Sequence, residues 1–482
     1  MKKTMTVAAL SSVLVLGVAA SSFAAAAAAT TTGVVAKGAS AITLDGSIRQ
    51  RGMYDKDNPL NDTPGRTGYD TRVQLGVQAK VSDQATGYLK LENGAGNSDI
   101  DTWGNASAVG LTNGGNKMGG LNILEAWINY QPGVWGVKAG HMPLALGNKV
   151  FFDHTLSGDD ALVFYVNPSE ATHIGALTIK FDEQNNGAYN INATDAANRA
   201  AADNSDDLNG YVALITHKLS DSVNLGANWT YLRGGSTAEA GQPVELLRGL
   251  AMSNIGLTAD GKIGAISYMA DAEFQFGTFS DNGVNTQDAS GWAMKLGGNY
   301  DLGGGKVGLL FGYGSGKDQR DSDLTDAIAN NETQDQFINF LGDTTYDTII
   351  TGFRSPIPGA GWSNATGRNS GLSNLTIYQL NGSTKVACPL TGKDLSIFGS
   401  LSYLQLSEDI TRYLDTAGNP VWVNDVGTEI DLIANWALTP GLSYKVEIGY
   451  LIVGDAYETA GTGAGKDPDD LKFIRNSLEL KF

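Results

Sequence analysis

The sequence predicts an all-β protein: a transmembrane antiparallel β-barrel of about eighteen strands, with about sixteen as the alternative, short turns at one end and long loops at the other. Three observations predict it. Stretches of roughly ten residues alternate between apolar and polar side chains, which is the period of a strand. Beyond the N-terminus no run approaches the length of about eighteen apolar residues that a membrane-crossing helix needs; the densest short run is 161–166. The 62 Gly, 18 Tyr and 8 Trp are residues of tight turns and of aromatic girdles at a membrane surface.

Met1, Lys2 and Lys3 precede an apolar segment at 7–20 and then Ser22-Phe23-Ala24, a small-x-small cleavage pattern. Residues 1–24 therefore read as a secretory signal peptide. A short membrane anchor is the alternative, set aside because the apolar segment is brief and runs into an Ala-rich tract. Residues 25–40 read as an N-terminal linker and 41–482 as the barrel. The single cysteine, Cys388, excludes an internal disulfide framework in an exported chain, and no C-x-x-C-H is present to attach haem, so no cofactor is expected. A formal net charge of -18 argues against a nucleic-acid partner.

The first strand, 41–54, sets Ile42, Leu44 and Ile48 against Thr43, Asp45, Ser47, Arg49 and Arg51. Strands 69–81 and 85–93 share the turn Ser82-Asp83-Gln84, and 121–130 and 134–142 share Gln131-Pro132-Gly133. A link at 167–172 joins 161–166 to 173–182. Strands 208–219 and 223–232 share Ser220-Asp221-Ser222, 249–259 and 263–276 share Asp260-Gly261-Lys262, and 292–300 and 307–314 share 301–306. Region 315–371 is the longest loop. A weak strand candidate at 345–353 belongs to that loop, because counting it makes the strand number odd and misplaces every later turn. Strands 372–386 and 395–406 share 389–394, and 427–438 and 442–454 share Thr439-Pro440-Gly441. The last strand, 471–482, carries Ile474, Leu478, Leu480 and Phe482 on one face and Arg475, Ser477, Glu479 and Lys481 on the other. With nothing after it to cover its edge, it zips against 41–54 and closes the sheet. A soluble β-sandwich also alternates, but has no need of Trp and Tyr near strand ends on its apolar side.

The signal peptide, the alternation and the closing Ser477-Leu478-Glu479-Leu480-Lys481-Phe482 together resemble Gram-negative outer-membrane porins, general or substrate-selective. Glu125-Ala126-Trp127-Ile128-Asn129-Tyr130, with Val137-Lys138-Ala139-Gly140-His141-Met142-Pro143 and Leu146-Gly147, is similar to the porin hairpin leading into the third external loop. His141 stands where porins usually have Arg. The resemblance implies passive diffusion of ions and small hydrophilic solutes across the outer membrane, without enzyme activity. It also implies a homotrimer, contact with outer-membrane lipid and lipopolysaccharide, and recognition of Phe482 by the barrel-assembly machinery. The third external loop, 143–160, is then expected to fold inward as a constriction carrying Asp153, His154, Asp159 and Asp160. A barrel sheathing a redox partner, as in porin–cytochrome conduits, is the alternative function, and a surface adhesin or receptor using loop 315–371 is a third.

The lumen face carries the chemistry. In the early strands it is read as a basic wall of Arg49, Arg51, Arg72, Lys80, Lys90, Lys138 and Lys180, with Glu92 and Glu125 among them. In the later strands it is read as acidic, with Asp271, Glu273, Glu429, Asp431 and Glu447. Walls of charge in a narrow pore govern which solutes pass; the plainer reading is that these groups pair with one another and keep the lumen wet. His141, His154, His173 and His217 lack the close pairing of a zinc site, so no metal is expected. Gly461-Thr462-Gly463-Ala464-Gly465-Lys466 has the look of a phosphate-binding loop, but Asp467 follows where Ser or Thr is required.

Overall fold

The computed structural model describes residues 33–35, 41–56, 65–93, 101–102, 120–182, 208–234, 250–281, 285–317, 335–341, 348–353, 371–388, 392–414, 418–458 and 469–482. The proposed signal peptide lies outside them. The 18 long strands are β1 Ala41–Lys56, β2 Arg66–Lys80, β3 Ala85–Asn93, β4 Leu121–Tyr130, β5 Trp135–Met142, β6 Asp159–Ser169, β7 Thr172–Asp182, β8 Leu208–Ser220 and β9 Val223–Arg233. They continue as β10 Ala251–Ile263, β11 Ile266–Asp281, β12 Trp292–Asp301, β13 Gly305–Gly314, β14 Leu375–Ala387, β15 Asp394–Leu414, β16 Pro420–Thr439, β17 Leu442–Val453 and β18 Leu471–Lys481. Each pairs antiparallel with its sequence neighbours, and β1 pairs with both β2 and β18. The barrel is closed, as the sequence predicts.

Closure ends on Phe482. Its N–H donates to Gly46 O at 3.0 Å and its carbonyl accepts from Gly46 N–H at 2.9 Å. A Cβ on Gly46 would come within 2.6 Å of the Gln74 carbonyl oxygen and 2.8 Å of the Phe482 ring, so the neighbouring backbone leaves no room for a side chain there. Beyond Phe482 the edge of β1 is taken by Gly33–Val35, with Gly33 opposite Thr43 and Val35 opposite Ala41. A free edge is thereby covered by the chain itself.

The turns differ from the sequence reading at two hairpins: the link expected at 167–172 shortens to Glu170-Ala171, because β6 runs on to Ser169, and the second is shifted along the chain. Asp260-Gly261-Lys262 does not turn but continues the ladder, with Gly261 opposite Tyr268; the reversal is Gly264-Ala265. A two-residue hairpin needs a positive φ, and Gly264 supplies it at 60°. At the other end β15 and β16 run past the predicted strand ends as a hairpin that still pairs Leu414 with Pro420.

The exterior is apolar. Ile128 is 69% exposed and Leu309 67%, and the exposed Leu162, Phe164, Leu257, Leu432 and Leu478 continue the band around the sheet. Its rims are aromatic. Tyr130 and Trp135 meet edge-on at 6.0 Å, and Trp436 lies 5.8 Å from Tyr444, near the short turns. Trp229, Tyr231 and Tyr211 stack near the long loops. Burying so much apolar surface in hydrocarbon, with every strand paired, is the arrangement a bilayer permits.

The buried apolar cluster lies inside the barrel. The segment after β5 contributes Leu144, Leu146, Val150, Phe151 and Phe152, and the segment after β13 contributes Phe337, Ile338, Ile349 and Ile350. They join inward-facing Val163, Leu177, Ile179, Val212, Leu214 and Leu232 of β6–β9. Phe151 touches Phe337 and Phe340 edge-on at 6.4 and 5.9 Å, and Phe340-Leu341 pairs parallel with Phe152-Asp153. The longest loop is thus an internal element in its described parts, not the exposed surface an adhesin would use. Its weak strand candidate is a helical turn, α1, Ile350–Phe353, with residues 345–347 outside the described part.

Candidate functional site

The sheet period decides which side chains reach the lumen, and the register decides which of them meet. Arg49 on β1 lies opposite Arg72 on β2 and Glu479 on β18, and Arg51 lies opposite Asp70. Arg51 Nε donates to both Asp70 carboxylate oxygens at 3.0 and 2.7 Å, and Arg72 Nη2 reaches Glu479 at 3.4 Å. Arg475 on β18 forks onto Glu447 of β17, its Nη2 donating at 2.8 Å, and Lys445 adds a contact to Glu447 at 3.0 Å. Arg49 forms no ion pair among the described residues, and its Nε is buried without a hydrogen-bond partner. Four guanidiniums from three adjacent strands therefore share three carboxylates, so this wall keeps net positive charge. Arg475 completes it, although sequence reasoning left it out of the wall. Its place on the charged face of the closing strand was legible; its partnership with Glu447 was not.

The remaining basic residues divide. Lys90 pairs with Glu125 at 3.3 Å, and Lys138 lies buried with its Nζ 3.8 Å from the centre of the Trp127 ring. Lys80 lies at the short-turn rim and pairs with Asp83 at 2.7 Å. In that exposed turn the Lys80 ammonium holds the Asp83 carboxyl below its usual range. Lys180 corrects the sequence reading: it shares a face with the exposed Ile174 and lies opposite Asp160, on the outside of the barrel. The alternation misled because β7 is apolar on both faces, with Leu177 and Ile179 covered from within.

The acidic residues are corrected further. Asp271, Glu273, Glu429 and Asp431 face inward, but at 1%, 0%, 0% and 3% exposure they do not touch lumen water. Asp271, Glu429 and Asp431 anchor the infolded segments instead, while Glu273 accepts from Asn254 Nδ2 at 2.6 Å within the sheet. Asp271 accepts from the Asn148 backbone N–H at 2.6 Å, while Asn148 Nδ2 donates to Ala270 O at 3.1 Å. Glu429 accepts the N–H groups of Ile349 and Thr351 at 2.8 and 2.9 Å and the Thr351 hydroxyl at 2.6 Å. Gln275 accepts from Ile338 N–H at 2.9 Å and donates to its carbonyl at 2.5 Å. Carboxylates gathering backbone N–H groups make strong anchors, because charge-assisted bonds are roughly twice as strong as neutral ones.

The segment 143–158 does fold inward, yet it turns no acidic face to the arginines. Asp153 is buried and held by Lys149 at 3.1 Å and by the Thr155 hydroxyl at 2.7 Å. Asp159 is buried against His154 Nδ1 at 2.8 Å, and His154 lies against the Phe152 ring. Asp160 points outward and meets His141 at 3.0 Å. Among the described residues no group of His, Cys, Asp and Glu could hold a metal ion. Phe482 closes the seam.

Fold and lumen together define a closed β-barrel with an apolar exterior, a net-positive wall on β18, β1 and β2, and two infolded loops, the first packed against β6–β9 and the second reaching β16, β17 and β18. A family model described as alginate export matches residues 248–467. The barrel is similar to solved structures from Pseudomonas aeruginosa: OccK11 (OpdR), with TM-score 0.52, 11% identity and coverage of 92% of this chain and 96% of that one; OpdL, with 0.51, 10%, 92% and 98%; and the outer membrane protein OprD, with 0.50, 10%, 91% and 94%. At such identities the likeness is one of fold. No curated protein matches the chain in sequence.

Proposed function

We propose that the chain is a porin of the bacterial outer membrane, a water-filled channel through which ions and small hydrophilic solutes diffuse passively. The observation that carries the reading is the inversion of polarity: an apolar band between aromatic rims outside, and a wall of arginines and their carboxylate partners inside. A soluble protein places them the other way round. The likeness in fold to OprD, an outer membrane protein, supports it. Two of the chain's own loops occupy part of the interior, which is at odds with a barrel sheathing a separate redox protein. Export by a cleaved leader, recognition of Phe482 by the assembly machinery and association as a homotrimer in lipopolysaccharide-containing membrane belong to the same proposal.

The path runs along the arginine wall, because the interior of β6–β9 is packed apolar by the two loops. Anion preference is expected, because the wall keeps net positive charge and the acids of β11 and β16 are covered. Purified protein in planar bilayers is expected to conduct steadily and ohmically without any partner. Silence in the bilayer, with the barrel shown intact by its circular dichroism, would overturn the reading.

A further inference from the structure

At the short-turn end, on the inward face of β12–β16, the wall forms a pocket of about 410 Å³ lined by none of the arginines and by neither infolded loop. Lys306 on β13 lies opposite Ser383 on β14, and Lys385, two residues along β14, faces the same way opposite Ser396 on β15. Diagonal neighbours of this kind lie within roughly 8 Å of one another, so the two ammonium groups reach one space and repel. Lys306 also lies opposite Asp301, which lines the pocket too and whose Oδ1 accepts the Gly303 N–H at 2.8 Å, so the pocket keeps one net positive charge. Neither lysine forms an ion pair among the described residues.

Phe398 and Ile433, opposite one another on β15 and β16, give the pocket an apolar floor. Asn435, beside them on β16, has its Oδ1 buried without a hydrogen-bond partner. An acceptor of that kind is ordinarily matched by a donor. Two cations that outnumber the one carboxylate, an apolar surface and a lone acceptor each specify one part of a ligand.

We propose that this pocket binds a small organic anion, with its headgroup between Lys306 and Lys385, its apolar body on Phe398 and Ile433, and a hydroxyl or amino donor on Asn435. The site is a holding point at the short-turn mouth, separate from the arginine wall. As a station on a solute path it rests on the porin reading; as a binding site it does not, so it is tested by binding.

The probe is para-fluorophenylacetate, titrated by fluorine NMR into the full chain in detergent. Saturable binding is expected, weakened about tenfold in Lys306→Gln/Lys385→Gln, the loss of two partly exposed charge contacts. Para-hydroxyphenylacetate is expected to displace the probe more readily than phenylacetate does, and to lose that advantage in Asn435→Ala. Unchanged affinity in the lysine double variant would overturn the site, as would displacement by benzylamine as readily as by phenylacetate. Binding lost in Arg49→Ala and kept in the lysine variant would place the anion at the arginine wall and overturn it too. A barrel that binds the probe but stays silent in bilayers would overturn the porin reading and leave the site standing.

Discussion

Arg49 is the residue on which the electrostatics of the lumen turn. Its neighbours Arg51, Arg72 and Arg475 each have a carboxylate, whereas Arg49 sits between Arg72 and Glu479 with a buried, unpartnered Nε. Arg49→Ala is therefore expected to move the reversal potential toward cations in a gradient near 0.1 M salt, and to do little near 1 M, because the screening length falls from about 10 Å to about 3 Å. A reversal potential unmoved at low salt would place Arg49 away from the conducting path. Glu429 is the second such residue, as the anchor of α1. Glu429→Gln gives an acceptor of backbone N–H groups a competing donor. Loss of one charge-assisted bond, about 1.5–3 kcal/mol, should speed amide exchange at Ile349 to Thr351 by at least about tenfold. Unchanged exchange there would mean that the apolar contacts of Ile349 and Ile350 hold the segment without it.

At the scale of elements, the two infolded loops form one packing unit. Phe151 is fully buried, meets Phe337 and Phe340 edge-on, and its carbonyl accepts the Phe340 N–H at 2.8 Å. Phe151→Ala should cost about 3–5 kcal/mol of that docking, the range for emptying a buried aromatic site. The sheet, whose pairing lies elsewhere, should remain. Protease added to the intact barrel in detergent is then expected to nick between residues 143 and 158 in the variant and not in the parent. Conductance of the variant should be higher and noisier. A variant as resistant and as quiet as the parent would show that Asn148 on Asp271 suffices to hold the loop.

For the whole molecule the question is what closure requires. The seam between β1 and β18 is an ordinary antiparallel ladder from Ser47 and Lys481 to Lys56 and Lys472, finished by two hydrogen bonds between Gly46 and Phe482. Removing Phe482 takes away that last pair and one outward ring, a small part of the seam. Folding in detergent should be nearly intact, with unheated mobility on gels like the parent's. Assembly in cells should fall severely, because the terminal aromatic is the proposed recognition feature. Normal outer-membrane levels of the deletion variant would refute that role, and failure to refold in detergent would show that the residue is needed for packing instead.

The sequence by itself determined the barrel: period-two alternation and Gly- and Asp-bearing short turns are local signals, and each strand's outward face must satisfy lipid whatever its neighbours do. It misplaced Lys180 because β7 is apolar on both faces, and it misplaced the turn at Gly264 because Asp260-Gly261-Lys262 is an equally good local turn. The interior was decided only by the tertiary structure. An inward acid looks the same in sequence whether it meets water, as Glu479 beside Arg72 does, or backbone N–H groups delivered from far along the chain, as Glu429 meets Ile349. Which of these occurs depends on where two long loops come to rest, and their resting place is set by Phe151, Phe152, Phe337 and Phe340 meeting across the lumen. Such non-local packing has no period to read.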